Sequence, residues 1–449
     1  MCPSASVDTK PAPQPSLEGE GEIVSRQTSK ESNSAFTYGM ETIKVVGAGF
    51  SGLVTAYYLV KAGLKVQVVE KSARVGGLIQ TLQTPHGPVE TAANGLRNSV
   101  RLEAMCADIG VPLQTTRREA RSRFIFRGRP KRFPLRASEV LKLGFRFAGS
   151  TTSLRPRPLE TISAWGRRVV GEAATDFFLA PALGGIYAGD PNRLSASLVF
   201  GQAVLPNHLQ TIRPARARLH GTVAPPHGME QLVDGLSKYL EHAGVKFVFN
   251  HNVQVEPGEP AVVCASARGA SECLADVAPQ LSESLQQIEM MPVVSATCQY
   301  DPAAAKLKGF GCLFPRSEDF RARGVLFNEC IFAGRGPAHS ETWIFGGALD
   351  PAIVELSDRE LMQLIATERE RLYGEHHEAI GIHLTSWPQA LPHYSIDLER
   401  ILTNLPAPPA NVALVGNYLG RIGLAKLIER AAFVAKEFRG SSRPVREGS

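Results

Sequence analysis

Six consecutive residues, Gly47-Ala48-Gly49-Phe50-Ser51-Gly52, have the types and spacing to hold a dinucleotide. They follow a short β-branched run, Ile43–Val46, and lead into a helical pattern over Ser51–Ala62. In such a G-x-G-x-x-G turn, Gly47 permits the tight bend and Gly49 lets the backbone approach a pyrophosphate. Gly52 lets helix and strand pack closely. The helix N-terminus adds unpaired N–H groups and roughly half a positive charge for the phosphates. A second strand over Lys65–Val69 runs up to Glu70, placed where a carboxylate accepts hydrogen bonds from a ribose diol. That carboxylate favours a 2′-hydroxyl over a 2′-phosphate.

Arg74-Val75-Gly76-Gly77 follows at once and matches the R-x-G-G extension of flavoproteins in the amine oxidase superfamily. The resemblance selects FAD over NAD. Paired glycines bring a second backbone loop close to the cofactor phosphates, and Arg74 can add a charge-assisted contact. Lys71 and Leu78 flank this turn and join the candidate cofactor residues.

The elements that must position these groups are those of an α/β protein. After the opening βαβ unit, helical patterns cover Leu102–Gly110, Glu139–Phe147 and Thr161–Ala180, and an amphipathic one covers His227–Ala243. Strands are expected at Val245–Phe249, Val253–Val255 and Ala261–Ala265, and a second sheet from Met291–Tyr300, Gly324–Phe332 and Glu341–Gly347. A helix at Asp358–Tyr373, a strand at Val412–Val415 and a helix from about Ile422 to Phe438 complete the chain. In that last helix the apolar residues Ile422, Leu424, Leu427, Ile428, Ala431, Val434 and Phe438 repeat at three and four, so one face is buried.

Composition bounds the remaining possibilities. The 449 residues exceed one ordinary domain, and 43% hydrophobic with 20% charged is globular rather than disordered or collagenous. No run approaches the roughly 18 apolar residues of a membrane-spanning helix. Seven cysteines without a Cys-x-x-Cys pair argue against a disulfide framework or structural zinc site and suit a reducing, cytoplasmic setting. The net charge is +6, yet Arg117 to Arg168 holds fifteen basic residues against Glu119, Glu139 and Glu160, a local +12. Such a stretch attracts acidic lipid, nucleic acid or an acidic substrate. Its aromatics, Phe124, Phe126 and Phe133, show no RNA-recognition pattern, so no nucleic-acid partner is expected. Residues 1–39 and 441–449 read as disordered, and Met40 stands directly before the first strand as an alternative start.

Later motifs are similar to those of protoporphyrinogen oxidases. Gly184-Gly185-Ile186-Tyr187-Ala188-Gly189-Asp190-Pro191, followed by Leu194-Ser195, resembles the family's G-V-Y-A-G-D-P-x-x-L-S stretch. Gly228-Met229-x-x-Leu232 resembles G-G-M/L-x-x-L, with His227 in place of the first glycine. Gly309-Phe310-Gly311-Cys312-Leu313-Phe314-Pro315 is similar to G-F-G-x-L-V-P, and Gly416-Asn417-Tyr418 to A-G-N-Y. Two segments depart: Glu90-Thr91-Ala92-Ala93-Asn94-Gly95 lacks the usual E-x-G-P, and Ala265-Ser266-Ala267-Arg268 varies the A-x-P loop.

The resemblance implies a Rossmann-type FAD-binding domain (residues 40–97, 222–275 and 405–440), a mixed-sheet substrate domain (276–404) and a helical, basic insertion (98–212) facing a membrane surface. It implies that a porphyrinogen is oxidised to a porphyrin in three two-electron rounds, with oxygen reduced to hydrogen peroxide. Protoporphyrinogen IX is the expected substrate and coproporphyrinogen III the alternative; another flavin oxidase or desaturase of the superfamily is a further rival, and a flavin-binding scaffold without turnover another. A homodimer is compatible with the sequence. By the same resemblance Asn94, Gly95 and Val253 contact the cofactor, and the backbone of Ile422, Gly423 and Leu424 faces the flavin pyrimidine. Arg123 anchors a propionate, Gly185, Gly311 and Leu313 line the macrocycle pocket, and Arg97 is a second candidate anchor. No acid, base or metal ligand is assigned to the chemistry, which needs the macrocycle held against the flavin.

Overall fold

The structure is a computed structural model, and it describes residues 42–148, 153–201, 203, 205–209, 219 and 221–441. The proposed start at Met40 and both terminal segments beyond these bounds lie outside the described residues.

Five parallel strands form the first sheet, in the order Lys246–Val248, Val66–Val69, Ile43–Val46, Ala261–Val263, Val412–Leu414. Strand order reverses on either side of Ile43–Val46, and ligands of such sheets bind in the crevice beyond the strand ends there. The valines of its three inner strands and its C-terminal strand are buried because helices cover the sheet, as parallel sheets require, while Val248 on the edge strand is half-buried. The helices Phe50–Lys61, Glu230–His242 and Leu424–Ser441 supply one core cluster with Leu53, Val54, Leu232, Leu236, Ile428 and Val434.

A second sheet has seven strands, in the order Gly381–Pro392, Met290–Tyr300, His339–Gly346, Gly324–Phe327, Gly311–Leu313, Phe124–Phe126, Pro130–Lys131. All neighbours are antiparallel except Gly311–Leu313 with Phe124–Phe126. Helix Asp358–Tyr373, started by a Ser357/Glu360 capping box, covers one face through Leu361, Ile365 and Leu372 against Val325, Phe327, Trp343 and Phe345. Leu326, on the opposite pleat, packs toward the dinucleotide sheet's core.

Four expectations are corrected. Val253–Val255 is a loop rather than a strand: Val255 donates to the Cys273 carbonyl, outside any ladder. Gly324–Phe332 is a strand only to Phe327, and Asn328–Ile331 turns into a helix as Asn328 bonds Ser340 and Thr342. The helix expected over Thr161–Ala180 breaks after Val169, where Gly171 takes φ 84°, then resumes through a π-type turn into Ala180–Tyr187. The region 98–212 is not wholly helical, because Phe124–Phe126 and Pro130–Lys131 extend the second sheet.

Candidate cofactor and substrate site

At the end of Ile43–Val46, two glycine loops meet back to back. Gly76 donates to the Ala48 carbonyl at 2.8 Å, and Gly49 bridges Gly76. A Cβ on Gly77 would stand 3.1 Å from the Gly49 Cα, and one on Gly52 only 1.8 Å from the Gly47 carbonyl oxygen. Backbone therefore forms the surface of this crevice. Gly49 caps helix Phe50–Lys61 without a side-chain hydrogen bond, and no acid stands in the first turn. Its N–H groups and positive end remain available to an anion.

Glu70 is buried beside them. Its Oε2 accepts from Ala48 N at 2.6 Å, and its Oε1 accepts from Ser72 N and Ser72 Oγ, both at 2.8 Å. The carboxylate thus ties the first glycine loop to the turn after the second strand. Asn250 and His251 donate to the Ser72 and Glu70 carbonyls, which draws the loop carrying Val253 past this turn. The backbone N–H and C=O of Val253 have no partner among the described residues. Lys71 and Leu78 are exposed around the same turn. Arg74 donates to its own loop, to the Val75 carbonyl at 3.1 Å and the Gly77 carbonyl at 2.7 Å, so it braces the paired glycines.

Asn94 and Gly95 are held by the connection between helix Asn328–Ile331 and strand His339–Gly346. Arg335 donates to the Asn94 carbonyl at 3.3 Å, and a Cβ on Gly95 would meet the Phe332 ring at 3.0 Å. Trp387 Nε1 donates to the Thr91 carbonyl at 2.8 Å. These three contacts fix the segment that lacks Gly-Pro. Sequence reading missed Arg335, since its partners lie some 240 residues away and no local pattern marks it.

Ile422 and Gly423 form the entry to helix Leu424–Ser441, and Gly423 takes φ 101° with open space around it. Its carbonyl accepts from Lys426 and Leu427, while the N–H groups of Leu424 and Ala425 have no acceptor among the described residues. The preceding Arg421 has a buried Nε without a partner. Two uncapped helix N-termini, a backbone-lined crevice and a buried ribose-type carboxylate fit FAD.

On the substrate side, Gly185 sits on helix Ala180–Tyr187, exposed, where a Cβ would come within 2.9 Å of Leu313 Cδ2. Gly311 leaves no room either: its Cβ would stand 2.1 Å from the Val325 carbonyl oxygen. The Tyr-Ala-Gly-Asp-Pro segment is the turn ending this helix. Ala188 is left-handed at φ 50°, Gly189 would clash with Leu194 if it had a Cβ, and the Asp190 carbonyl accepts from Arg193 and Leu194. Arg123 is exposed and lies over the Phe310 ring at 4.9 Å. The structure therefore brings Gly185, Gly311, Leu313 and Arg123 to one end of the second sheet. Arg97 stands apart, exposed on the small sheet with Thr222–Ala224, and bonds to none of them. Among the described residues no group of three or more His, Cys, Asp or Glu could hold a metal.

Fold and site define a flavin-dependent oxidoreductase that binds FAD on a dinucleotide sheet beneath a mixed-sheet roof. The chain belongs to the flavin-containing amine oxidoreductase family, whose profile matches residues 50–422. It is 23% identical over 469 aligned positions to the chloroplastic protoporphyrinogen oxidase of Nicotiana tabacum, covering 88% of this chain and 85% of that one. It is 25% identical over 370 positions to the protoporphyrinogen oxidase of Homo sapiens, covering 68% and 77%. Among solved structures, a candidate protoporphyrinogen oxidase from Exiguobacterium sp. 255-15 superposes with a TM-score of 0.72 at 18% identity, covering 89% of this chain and 99% of that one. Putrescine oxidase bound to putrescine gives 0.66 at 16%, covering 89% and 98%.

Proposed function

We propose that the chain oxidises a porphyrinogen to the porphyrin, with protoporphyrinogen IX as substrate. Six electrons leave the macrocycle in three rounds, with three molecules of oxygen taken up and three of hydrogen peroxide released. When bound, the flavin accepts each pair of electrons as a hydride from a substrate carbon. The chain's own residues hold and orient. Gly185 and Gly311 present a wall without side chains, Leu313 packs against it, and a flat apolar ring can lie close. Arg123, by its position beside Phe310, offers a fork-shaped cation to a propionate. The open N-terminus at Leu424 favours negative charge where reduction would place it. The close approach of exposed Gly185 to Leu313 carries this reading, because a Cβ there would stand 2.9 Å from Leu313 Cδ2 and only glycine leaves that face flat.

Bleaching of the oxidised flavin band, at about 450 nm in flavins generally, by anaerobic protoporphyrinogen tests the proposal. A yellow protein that stays oxidised with every porphyrinogen offered ends it.

We further propose a cytoplasmic protein whose basic insertion rests on an acidic membrane surface. Supporting this, Leu141 and Phe145 are 61% and 69% exposed one turn apart on helix Ala137–Ala148, with Phe133 57% exposed nearby in the chain. Lys142 and Arg146 stand on the same helix, where basic residues near acidic headgroups contribute about 1 kcal/mol each. No described helix is long and apolar enough to cross a membrane.

A further inference from the structure

Arg323 stands directly before strand Gly324–Phe327, and nothing in the sequence motifs assigns it a task. Its backbone is tied into the sheet: its N–H donates to the Ile344 carbonyl at 2.7 Å, and its carbonyl accepts from Phe314 at 3.1 Å. Nε donates to the Gly346 carbonyl at 2.8 Å. The rest of the guanidinium has no such bond. Nη2 is sealed from solvent without an acceptor, and Nη1 lies 3.8 Å from where a Cβ on Gly184 would be. Among the described residues no carboxylate comes within ion-pair distance. Of the two acids whose charge reaches it, Asp350 and Asp190, Asp350 is engaged by Arg321 through two bonds of 2.9 Å. Burial pulls the Arg323 pKa down to about 10, and the charges of Asp350 and Asp190 offset it only in part. A buried charge without a partner is costly, and proteins retain one where a ligand supplies the partner.

Its neighbours say which ligand. Gly184 precedes Gly185, and Leu313 touches both Gly185 and, across the strand pair, the Cβ position of Gly324 next to Arg323. Arg323 itself is on the opposite pleat, beside Phe314, and its guanidinium reaches the glycine-and-leucine wall at Gly184, at the Phe314 end of strand Gly311–Leu313. Arg123 borders it at the Phe310 end. Three strand residues separate Phe310 from Phe314, four steps or roughly 13 Å along the strand at about 3.3 Å per residue. The wall between them is apolar, and each end carries one arginine.

We propose that Arg323 is a second carboxylate anchor of the substrate site, holding an acidic side arm of the macrocycle at the edge opposite Arg123. This rests on the porphyrinogen reading above. A carboxylate would meet the guanidinium at Nη1, the nitrogen that is neither sealed nor bonded, and full two-point pairing would need Nη2 to be uncovered as well.

The test uses the FAD-loaded protein, mesoporphyrin IX (a porphyrin dicarboxylate) and its dimethyl ester, with binding read from the porphyrin absorbance. Wild-type protein should bind the acid more tightly than the ester. Arg323→Met should weaken the acid at least tenfold and leave the ester unchanged. Arg323→Lys, which keeps the charge but loses the fork, should fall between. Unchanged acid binding in Arg323→Met overturns the assignment, as does an equal loss for acid and ester, which would mark a purely structural residue. A wild-type protein that binds neither ligand overturns the porphyrinogen reading itself, whereas normal wild-type binding with an indifferent Arg323→Met overturns only the anchor.

Discussion

Arg335 Nη1 donates to Glu90 Oε1 at 2.6 Å, with both side chains almost wholly buried. Glu90 also accepts from Met229 N at 3.0 Å and from Thr81 Oγ1 at 2.7 Å, so one carboxylate gathers three segments of the chain. Arg335 stacks its guanidinium on Phe332, the ring that packs against Gly95. Arg335→Met leaves that carboxylate buried without its cation, and losing one partner of such a pair typically costs about 3–5 kcal/mol. Denaturant unfolding of the variant should show a loss of that order. Flavin affinity should fall as well, because the Asn94 carbonyl loses its donor.

Flavin retention should depend sharply on Gly52. A methyl group there would have to occupy space 1.8 Å from the Gly47 carbonyl oxygen, inside the turn that would hold the cofactor phosphates. Gly52→Ala should yield protein that is colourless as purified, while Gly63→Ala, at a site with nothing within 4 Å, should stay yellow. At Gly63 the strain of φ 82° reduces stability instead. The flavin-to-protein absorbance ratio checks both.

These glycines were legible in the sequence because the βαβ unit is local: strand, turn, helix and Glu70 fall within thirty residues, each with its own period. The paired loops and their mutual contact follow from two short motifs. What escaped notice is long-range. Strand Gly381–Pro392 carries Trp387-Pro388-Gln389 and alternates poorly, since much of it is half exposed at the sheet edge. Phe124–Phe126 is a buried strand hidden among arginines, and its parallel partner lies almost two hundred residues later. Val253 read as a strand from its β-branched neighbours, yet hydrogen bonds from Asn250 and His251 to the Glu70 turn divert the chain. Tertiary pairing outweighed local preference in each case.

The second sheet contains a buried charge network that should make stability depend on alkaline pH. His339 has no exposed side-chain surface; Nδ1 meets Glu329 at 2.5 Å and Nε2 meets Glu341 at 2.8 Å. Burial alone would lower its pKa, but the hydrogen bonds and charges of Glu329 and Glu341 outweigh it and raise the group to about 9. The folded value lies above the unfolded one, so the stabilisation is fully present below about pH 6.5 and fades as pH rises through 9. Melting temperature should therefore fall between pH 7 and about 9.5. His339→Gln should be less stable at neutral pH and lose most of that slope.

Arg123→Ala should raise KM for a dicarboxylate porphyrinogen at least several-fold while leaving flavin content unchanged. The guanidinium lies over Phe310 and makes no ion pair among the described residues, so its removal leaves the fold intact. Steady-state kinetics beside the flavin spectrum separates the two effects. An unchanged KM removes Arg123 from the site.

The exposed face of helix Ala137–Ala148 gives the last prediction. All three acids of the basic stretch are occupied by arginines of the same stretch: Glu119 by Arg117, Glu139 by Arg127 and Glu160 by Arg168. The remaining positive charge therefore faces outward beside exposed Leu141 and Phe145. Vesicles containing acidic lipid should co-sediment the protein at low salt, and high salt should weaken but not abolish binding, because apolar insertion is not screened. Replacing Leu141 and Phe145 with serine should remove the salt-resistant part and leave flavin content untouched. Equal sedimentation of the wild-type and double-substituted proteins at high salt would show that this helix does not insert.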